Sequence, residues 1–473
     1  MTTLLPDEDL KDLPRGFTAR NDRRAVFSWY LFDWATQPVA TIITTFVFAT
    51  YFANVVATDE TTGQAQWGWT LAAAGIVIAI FSPILGSIAD AAGRRKPWVV
   101  AFAIPLIAGC AMLWFTAPGE PSAITFALVG VFLAVIGAEF GQVFTNAMMP
   151  TLVTEDRFGR LSGSGWAMGY FGGVVSLFLL LGLLVGDTDT GETFFGLTPL
   201  FGLDPETYAG VRASGPLAIV WFVIFAIPLF LFTPDTPRLM SAGAAIRAGL
   251  ASLRDTLAHI RSSHSNVFRY LVAHMIYADG LAGLFAFGGL YASSIFDWGT
   301  TETLLFGVVV VFAAVPGAFF GGRLDDLFGS KRIIIGSLVL LVIASVTALS
   351  ITDTDILFFL PADGPLPDDG MFASAGERLY LIIGAVIGIV SGPLQAASRT
   401  LIVRLSPEEK ITQFFGLFAL SGRATTFLAS AAVAALTTIA DSQRIGISVL
   451  LVFFLLGGWL LLGVKAPKGS TAH

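Results

Sequence analysis

Apolar residues in this chain fall in long blocks separated by polar connections. A helix needs about 20 apolar residues to span a bilayer core. Twelve blocks fit that reading: 26–54, 67–89, 97–117, 122–149, 162–186, 214–233, 266–292, 303–324, 331–351, 378–403, 411–439 and 444–464. They are called helices 1 to 12 below. The stretch between helices 6 and 7 has another pattern. Ile246, Leu250, Leu253, Leu257 and Ile260 are spaced four, three, four and three, and Arg247, Arg254 and Arg261 recur every seven residues beside them. One apolar stripe flanked by arginines predicts an amphipathic helix at the membrane interface, its guanidinium groups toward headgroup phosphates.

The blocks repeat. "GSIADAAGRRK" ends helix 2 and "GRLDDLFGSKR" ends helix 8, so that Gly86, Asp90 and Gly93 map onto Gly322, Asp326 and Gly329 at a constant offset. The expected fold is therefore an all-α polytopic membrane protein, with twelve transmembrane helices in two pseudo-symmetric six-helix bundles. The expected divisions are a tail 1–25, a first bundle 26–233, a linker 234–265, a second bundle 266–464 and a tail 465–473.

Composition agrees: 55% of the 473 residues are hydrophobic and 13% charged, against about 25% charged in soluble domains. The first 25 residues lack a secretory leader's apolar core and cleavage site, so helix 1 is expected to stay in the mature protein. Basic residues set the orientation. With the N-terminus inside, only Arg212, Arg378 and Arg444 of 27 Lys and Arg fall in outer connections, against seventeen acidic residues there. Both termini are expected in the cytoplasm, with the cell membrane as location. The single cysteine, Cys110, lies in an apolar run and excludes a disulfide framework. No phosphate loop, dinucleotide fingerprint or zinc-protease spacing occurs. No enzyme activity, metal, cofactor or nucleic-acid partner is expected.

Charges inside the blocks are not scattered. Asp33 lies in helix 1, Glu139 in helix 4, Asp279 in helix 7, Arg399 in helix 10 and Arg423 in helix 11; helices 3, 6, 9 and 12 carry none in their interiors. A charge on every third helix is expected if one helix of each three-helix repeat faces a shared cavity. Glu139, Gln142 and Asn146 share one side of helix 4, and Asp33, Gln37, Thr41 and Thr44 share one of helix 1. Gln395 is one turn from Arg399. Asp33 falls roughly 10 Å beyond the inner end of its helix, and Asp279 and Arg423 roughly 18–20 Å in. This set predicts solute binding with proton coupling, Arg399 and Arg423 gripping an anionic group from two sides. Structural readings stand beside it. Asp33 can serve a helix broken at Pro38, Asp279 the backbone near Gly280 and Gly283, Glu139 and Arg423 one another, and His274 its packing neighbours. The glycine lines Gly165, Gly169, Gly173 and Gly384, Gly388, Gly392 permit close helix contact, expected within the chain rather than between copies, so a monomer.

The paired G-x-x-x-D-x-x-G loops resemble the hallmark of the major facilitator superfamily. "FDWATQPVATIITTFVFATYF", "NAMMPTL", "GRLSGSGWAMGYFGG", "YADGLAGL", "SRTLI" and "FFGLFALSGRAT" resemble its vacuolar effluxer-like, autophagy-related permease branch. Thr36-Gln37-Pro38 stands where many members have Asn-Ser. The resemblance implies a rocker-switch carrier whose helices 1, 4, 7 and 10 line the cavity. It also implies that Gly86, Asp90, Gly93, Arg94 and Arg95, with Gly322, Asp326, Gly329, Lys331 and Arg332, form latches. Asp90 would meet the start of helix 11 and Asp326 the start of helix 5. The expected function is secondary active transport of a small polar solute, an amino acid first, by alternating access in the lipid bilayer, driven by a proton gradient. Export of another metabolite or drug, or a non-transporting sensor or accessory role, is the alternative.

Overall fold

The computed structural model describes residues 22–352, 355–361 and 370–465. Among them twelve helices are long and apolar enough to cross a membrane. They are Arg23–Val56, Glu60–Ala92, Lys96–Phe115, Ala123–Asn146, Glu155–Leu183, Ala209–Phe232, Ser265–Phe296, Thr301–Phe328, Ser330–Leu349, Ala375–Leu405, Glu408–Ala440 and Gln443–Leu462. The expected tails lie almost wholly outside the described residues. Several helices run beyond their apolar blocks because polar caps start them early. Helix 2 begins at Glu60, where the Asp59 carboxylate accepts the Thr62 N–H (2.9 Å). Helix 10 begins with a capping box in which Ser374 and Glu377 satisfy each other's backbone N–H groups.

The two six-helix halves meet through paired contacts: helix 2 packs on helix 11, and helix 5 on helix 8. Glycine sets how closely. Gly86 lies against the Thr412 backbone, and Gly322 against Gly159 and Gly163. The helix 5 glycines face Asp33, Gln37 and Thr41, and the helix 10 glycines face helix 8, so both lines pack within the chain.

Three departures from a regular bundle matter. Helix 1 is regular only to Pro38, then passes through wide turns over Val39–Phe46 and Phe52–Val56. Proline has no N–H to return to the carbonyl four residues back. That carbonyl, Trp34, instead accepts Trp221 Nε1 (2.9 Å), and the two indoles stack at 5.2 Å. Helix 11, read as continuous over 411–439, is broken between Ile411–Arg423 and Thr426–Ala440. The linker helix, Ala242–His259, lies on one end of the bundle, here the linker face. Its small face (Ala245, Gly249, Thr256) packs inward, with Gly249 against Ser87 and Ile88. Ser252 donates to Gln413 (3.3 Å) and Lys410 to Thr256 (3.1 Å), so the helix touches both halves. Of the expected apolar stripe, Leu253 is buried, while Ile246, Leu250 and Leu257 stay exposed.

The Trp34 carbonyl gives a direct test. Trp221→Phe keeps the ring but leaves a buried acceptor unpaired, which costs about 1–3 kcal/mol. The thermal unfolding midpoint in detergent should fall, and Pro38→Ala in the Trp221→Phe background should recover part of the loss by returning a backbone donor. No recovery would mean that the indole N–H is not what holds this turn.

Candidate functional site

One cavity of about 1520 Å³ lies between the halves. It runs from Asp33, Gln142 and Arg399 at its floor to Glu60 and Thr303, the latter two at the end opposite the linker helix. Asp33, Gln37, Thr41 and Thr44 all line it, as do Glu139, Gln142, Asn146, Gln395, Arg399 and Arg423.

The floor is a buried polar network. Arg399 Nη1 pairs with Asp33 Oδ2 and donates to Asn146 Oδ1, both at 3.0 Å. Its Nε and Nη2 donate to the Ser162 hydroxyl (2.9 Å) and carbonyl (2.7 Å). Gln142 Nε2 donates to Asp33 Oδ1 (2.8 Å). The guanidinium also lies over the rings of Trp29 (5.0 Å) and Trp166 (5.6 Å). Four helices (1, 4, 5 and 10) thus converge on one arginine, and both charges are buried. Gly165 makes the convergence possible: a Cβ there would stand 2.5 Å from Asp33 Oδ2 and 2.9 Å from Arg399 Nη2. Nearby, Gln395 Nε2 donates to the Tyr170 hydroxyl (2.6 Å).

Higher in the cavity Glu139 pairs with Arg423, joining helix 4 to helix 11. Their side chains keep 33% and 39% of their exposure, so cavity water reaches both charges. Each half has one sign: both carboxylates sit on the first half and both guanidinium groups on the second. The expected two-armed grip by Arg399 and Arg423 is therefore corrected. Each arginine has its own carboxylate, and Arg399 uses Nε and both terminal nitrogens within the protein. His274 lines the cavity, stacks on Phe418 at 4.1 Å and shares a 2.7 Å hydrogen bond with Ser421. Asp279 is a second correction. It is buried outside the cavity lining, beside Thr425 at the break in helix 11.

The linker face is closed by two related contacts. Asp90 accepts the N–H groups of Thr412 (3.1 Å) and Gln413 (2.8 Å) at the start of helix 11. Asp326 accepts those of Gly159 (2.7 Å) and Arg160 (3.1 Å) at the start of helix 5. Each carboxylate faces a positive helix end. Gly93 and Gly329 turn the chain with φ of 90° and 86°, the left-handed region that favours glycine. Arg95 reaches Thr412 Oγ1 (3.3 Å) and, at 4.0 Å, Asp90. The other basic residues differ from expectation. Arg94 and Arg332 are exposed, and among the described residues neither forms an ion pair across the seam. Lys331 stays within its own half, donating to the Leu462 (2.8 Å) and Val464 (2.7 Å) carbonyls.

Sequence reasoning missed Ser162, Trp29, Tyr170, Asp325, Arg404 and Asp235. Arg404 pairs with Asp325 (2.8 Å) and reaches Asp326 (3.7 Å), and Asp235 accepts the Arg95 N–H (2.8 Å). The doubled acid of "GRLDDLFGSKR" was the available signal for Asp325; the serine and the aromatics had none.

Two outcomes follow. Arg399→Leu leaves a buried carboxylate without its partner, a loss of about 3–5 kcal/mol. Asp33→Asn combined with Arg399→Leu should unfold at a higher temperature than Arg399→Leu alone; strict additivity of the two changes would show the pair to be uncoupled. Asp90→Asn or Asp326→Asn should each speed hydrogen exchange at all four latch amides, because opening one seam separates the same two halves. Exchange confined to the altered seam would contradict this.

Comparison with known proteins agrees with the geometry. Residues 69–473 match the family model described as "Vacuole effluxer Atg22 like". The MFS-type transporter YxiO of Bacillus subtilis (strain 168) is 22% identical over 434 residues, covering 91% of this chain and 92% of that protein. Autophagy-related protein 22 of Cryptococcus neoformans (strain B-3501A) is 28% identical over 316 residues, 66% of this chain. The chain spans about half the length of that fungal relative (53%). Among solved structures, the proton:xylose symporter XylE superposes with a TM-score of 0.67 at 13% identity, over 94% of this chain and 96% of that one. The transporter FucP in its outward conformation gives 0.66 at 12% identity, over 94% and 99%. These low identities carry the fold alone. The family match spans most of the chain: the protein belongs to the vacuole effluxer Atg22-like family, and it is a membrane transporter of the major facilitator type rather than an enzyme.

Proposed function

We propose that the protein moves a small zwitterionic solute, an amino acid first, through alternating access, acting as a monomer coupled to protons. One observation carries the reading: the Glu139–Arg423 pair crosses the cavity with both charges reachable by water. A zwitterion can enter between them, its ammonium on Glu139 and its carboxylate on Arg423, replacing one ion pair by two. His274, Gln395 and Tyr170 line the same space and supply hydrogen-bonding groups. The pair is part-buried but reached by water, and water-reached pairs are worth about 0–1 kcal/mol, so opening it costs little.

The cavity faces the end opposite the linker helix while the latches hold the linker face shut. The basic residues of the linker support a cytoplasmic linker face and cytoplasmic termini in the cell membrane. The related family's description as effluxers fits delivery across that seam. Proton coupling is supported by the shared fold with a proton:xylose symporter.

Proteoliposomes offered a panel of labelled amino acids, sugars and organic anions, with and without a pH gradient, test this. Amino-acid uptake should rise with the gradient. Arg423→Gln and Glu139→Gln should each weaken apparent affinity by roughly 10–100-fold, the loss of one charge-assisted hydrogen bond. Sugar or anion transport without amino-acid transport would overturn the substrate reading, and uptake indifferent to the gradient would overturn the coupling.

A further inference from the structure

Of the three carboxylates that the sequence places deepest in the membrane, Asp33 and Glu139 have arginine partners and Asp279 has none. The residue is 1% exposed, and its Oδ1 receives no hydrogen bond among the described residues. Beside it Thr425 Oγ1 is equally enclosed, and its hydroxyl faces the carboxylate without closing a well-formed hydrogen bond to it. A buried carboxylate without compensation is costly at any depth and most of all in a membrane.

Thr425 stands in the break of helix 11. The first segment ends at Arg423 and the second begins at Thr426. Ala424 N–H still donates to the Leu420 carbonyl, and Leu428 N–H donates to the Thr425 carbonyl across the new turn. Among the described residues no backbone N–H donates to the carbonyls of Ser421 and Gly422. The carboxylate thus lies beside Thr425, the residue that directly follows the negative end of the first segment. Carboxylate, hydroxyl and freed carbonyls are all hard oxygen donors, the set that binds metal cations of the s-block. Broken transmembrane helices bind small cations by such segment ends. Among the described residues no three His, Cys, Asp or Glu side chains cluster, so one carboxylate faces one charge.

We propose that Asp279, Thr425 and the interrupted backbone of helix 11 form a binding site for a monovalent metal cation, sodium, which ties helix 7 to the helix segment that carries Arg423 into the cavity. The site does not depend on the amino-acid reading. Its consequence does: an ion at the break fixes the end of the segment on which Arg423 stands, and so presets the arginine for solute.

The experiment is thermal unfolding of the purified full chain in detergent, titrated with sodium chloride against potassium and choline chlorides at equal ionic strength and at two pH values. Sodium should raise the unfolding midpoint saturably, and neither other salt should match it. Asp279→Asn should abolish the response. Thr425→Val should raise the half-saturating sodium concentration by about 10–100-fold, the scale on which losing a supporting group weakens a metal site, while Thr425→Ser keeps it. If Asp279→Asn does not fold, the Val and Ser variants decide. Equal effects of the three salts, or an unchanged response in Thr425→Val, overturn the proposal. So does stabilisation by acid with no effect of sodium, which would make the occupant a proton. Because the readout is binding, a failure of amino-acid transport leaves it untouched.

Discussion

Arg399 is the constraint on which the rest of this structure turns. A guanidinium in the membrane interior must have its charge balanced and its N–H groups occupied, and here the partners come from three other helices: Asp33, Asn146 and Ser162. Satisfying one side chain therefore fixes how helices 1, 4, 5 and 10 approach. Gly165 is the geometric cost of that arrangement, since any larger residue would occupy the space of the ion pair. The pair also crosses from one half to the other. It exists only while the halves are close at this depth, so the interaction that closes the cavity floor is specific to this state.

The latches obey the same logic one layer nearer the linker face. Asp90 and Asp326 place carboxylates on the starts of helices 11 and 5, and each also has a largely buried arginine within 4.0 Å, Arg95 and Arg404. Symmetry ends at the supports. The second seam adds Arg404 and Asp325, whereas the first uses Asp235 to hold the Arg95 backbone and is strapped by the linker helix. Two copies of one motif are thus reinforced by unrelated residues, as expected when only the helix-end contact is built into the repeat.

The spans were legible because hydrocarbon demands long apolar helices, and the cavity helices because buried charge is too costly to scatter. Asp90 and Asp326 were legible through their glycines. Pairing was not: Asp33 and Arg399 are 366 residues apart, and nothing local in the chain says that the arginine turns to that carboxylate. Asp279 was misplaced for a different reason. Its neighbours on helix 11 follow a break at residues 424–425 that no proline or exposed polar run announces. Helix starts ran past their apolar blocks wherever an Asp or Ser cap favoured it, because hydropathy reports the membrane and capping reports the backbone.

The two cross-cavity pairs have the same chemistry and differ in burial, and burial separates their roles. Breaking the Asp33–Arg399 pair would strand two charges away from water, several kcal/mol in such surroundings. Opening Glu139–Arg423 exposes both partners to cavity water, where an ion pair is worth about 0–1 kcal/mol. The upper pair is therefore the one that opens at little cost, while the lower pair is held as long as the halves stay together. Arg423 stands on helix 11, whose start is held by Asp90 at the linker face. The upper cavity pair and the closed seam are thereby joined by one unbroken helix segment, which ends at the place where Asp279 and Thr425 meet.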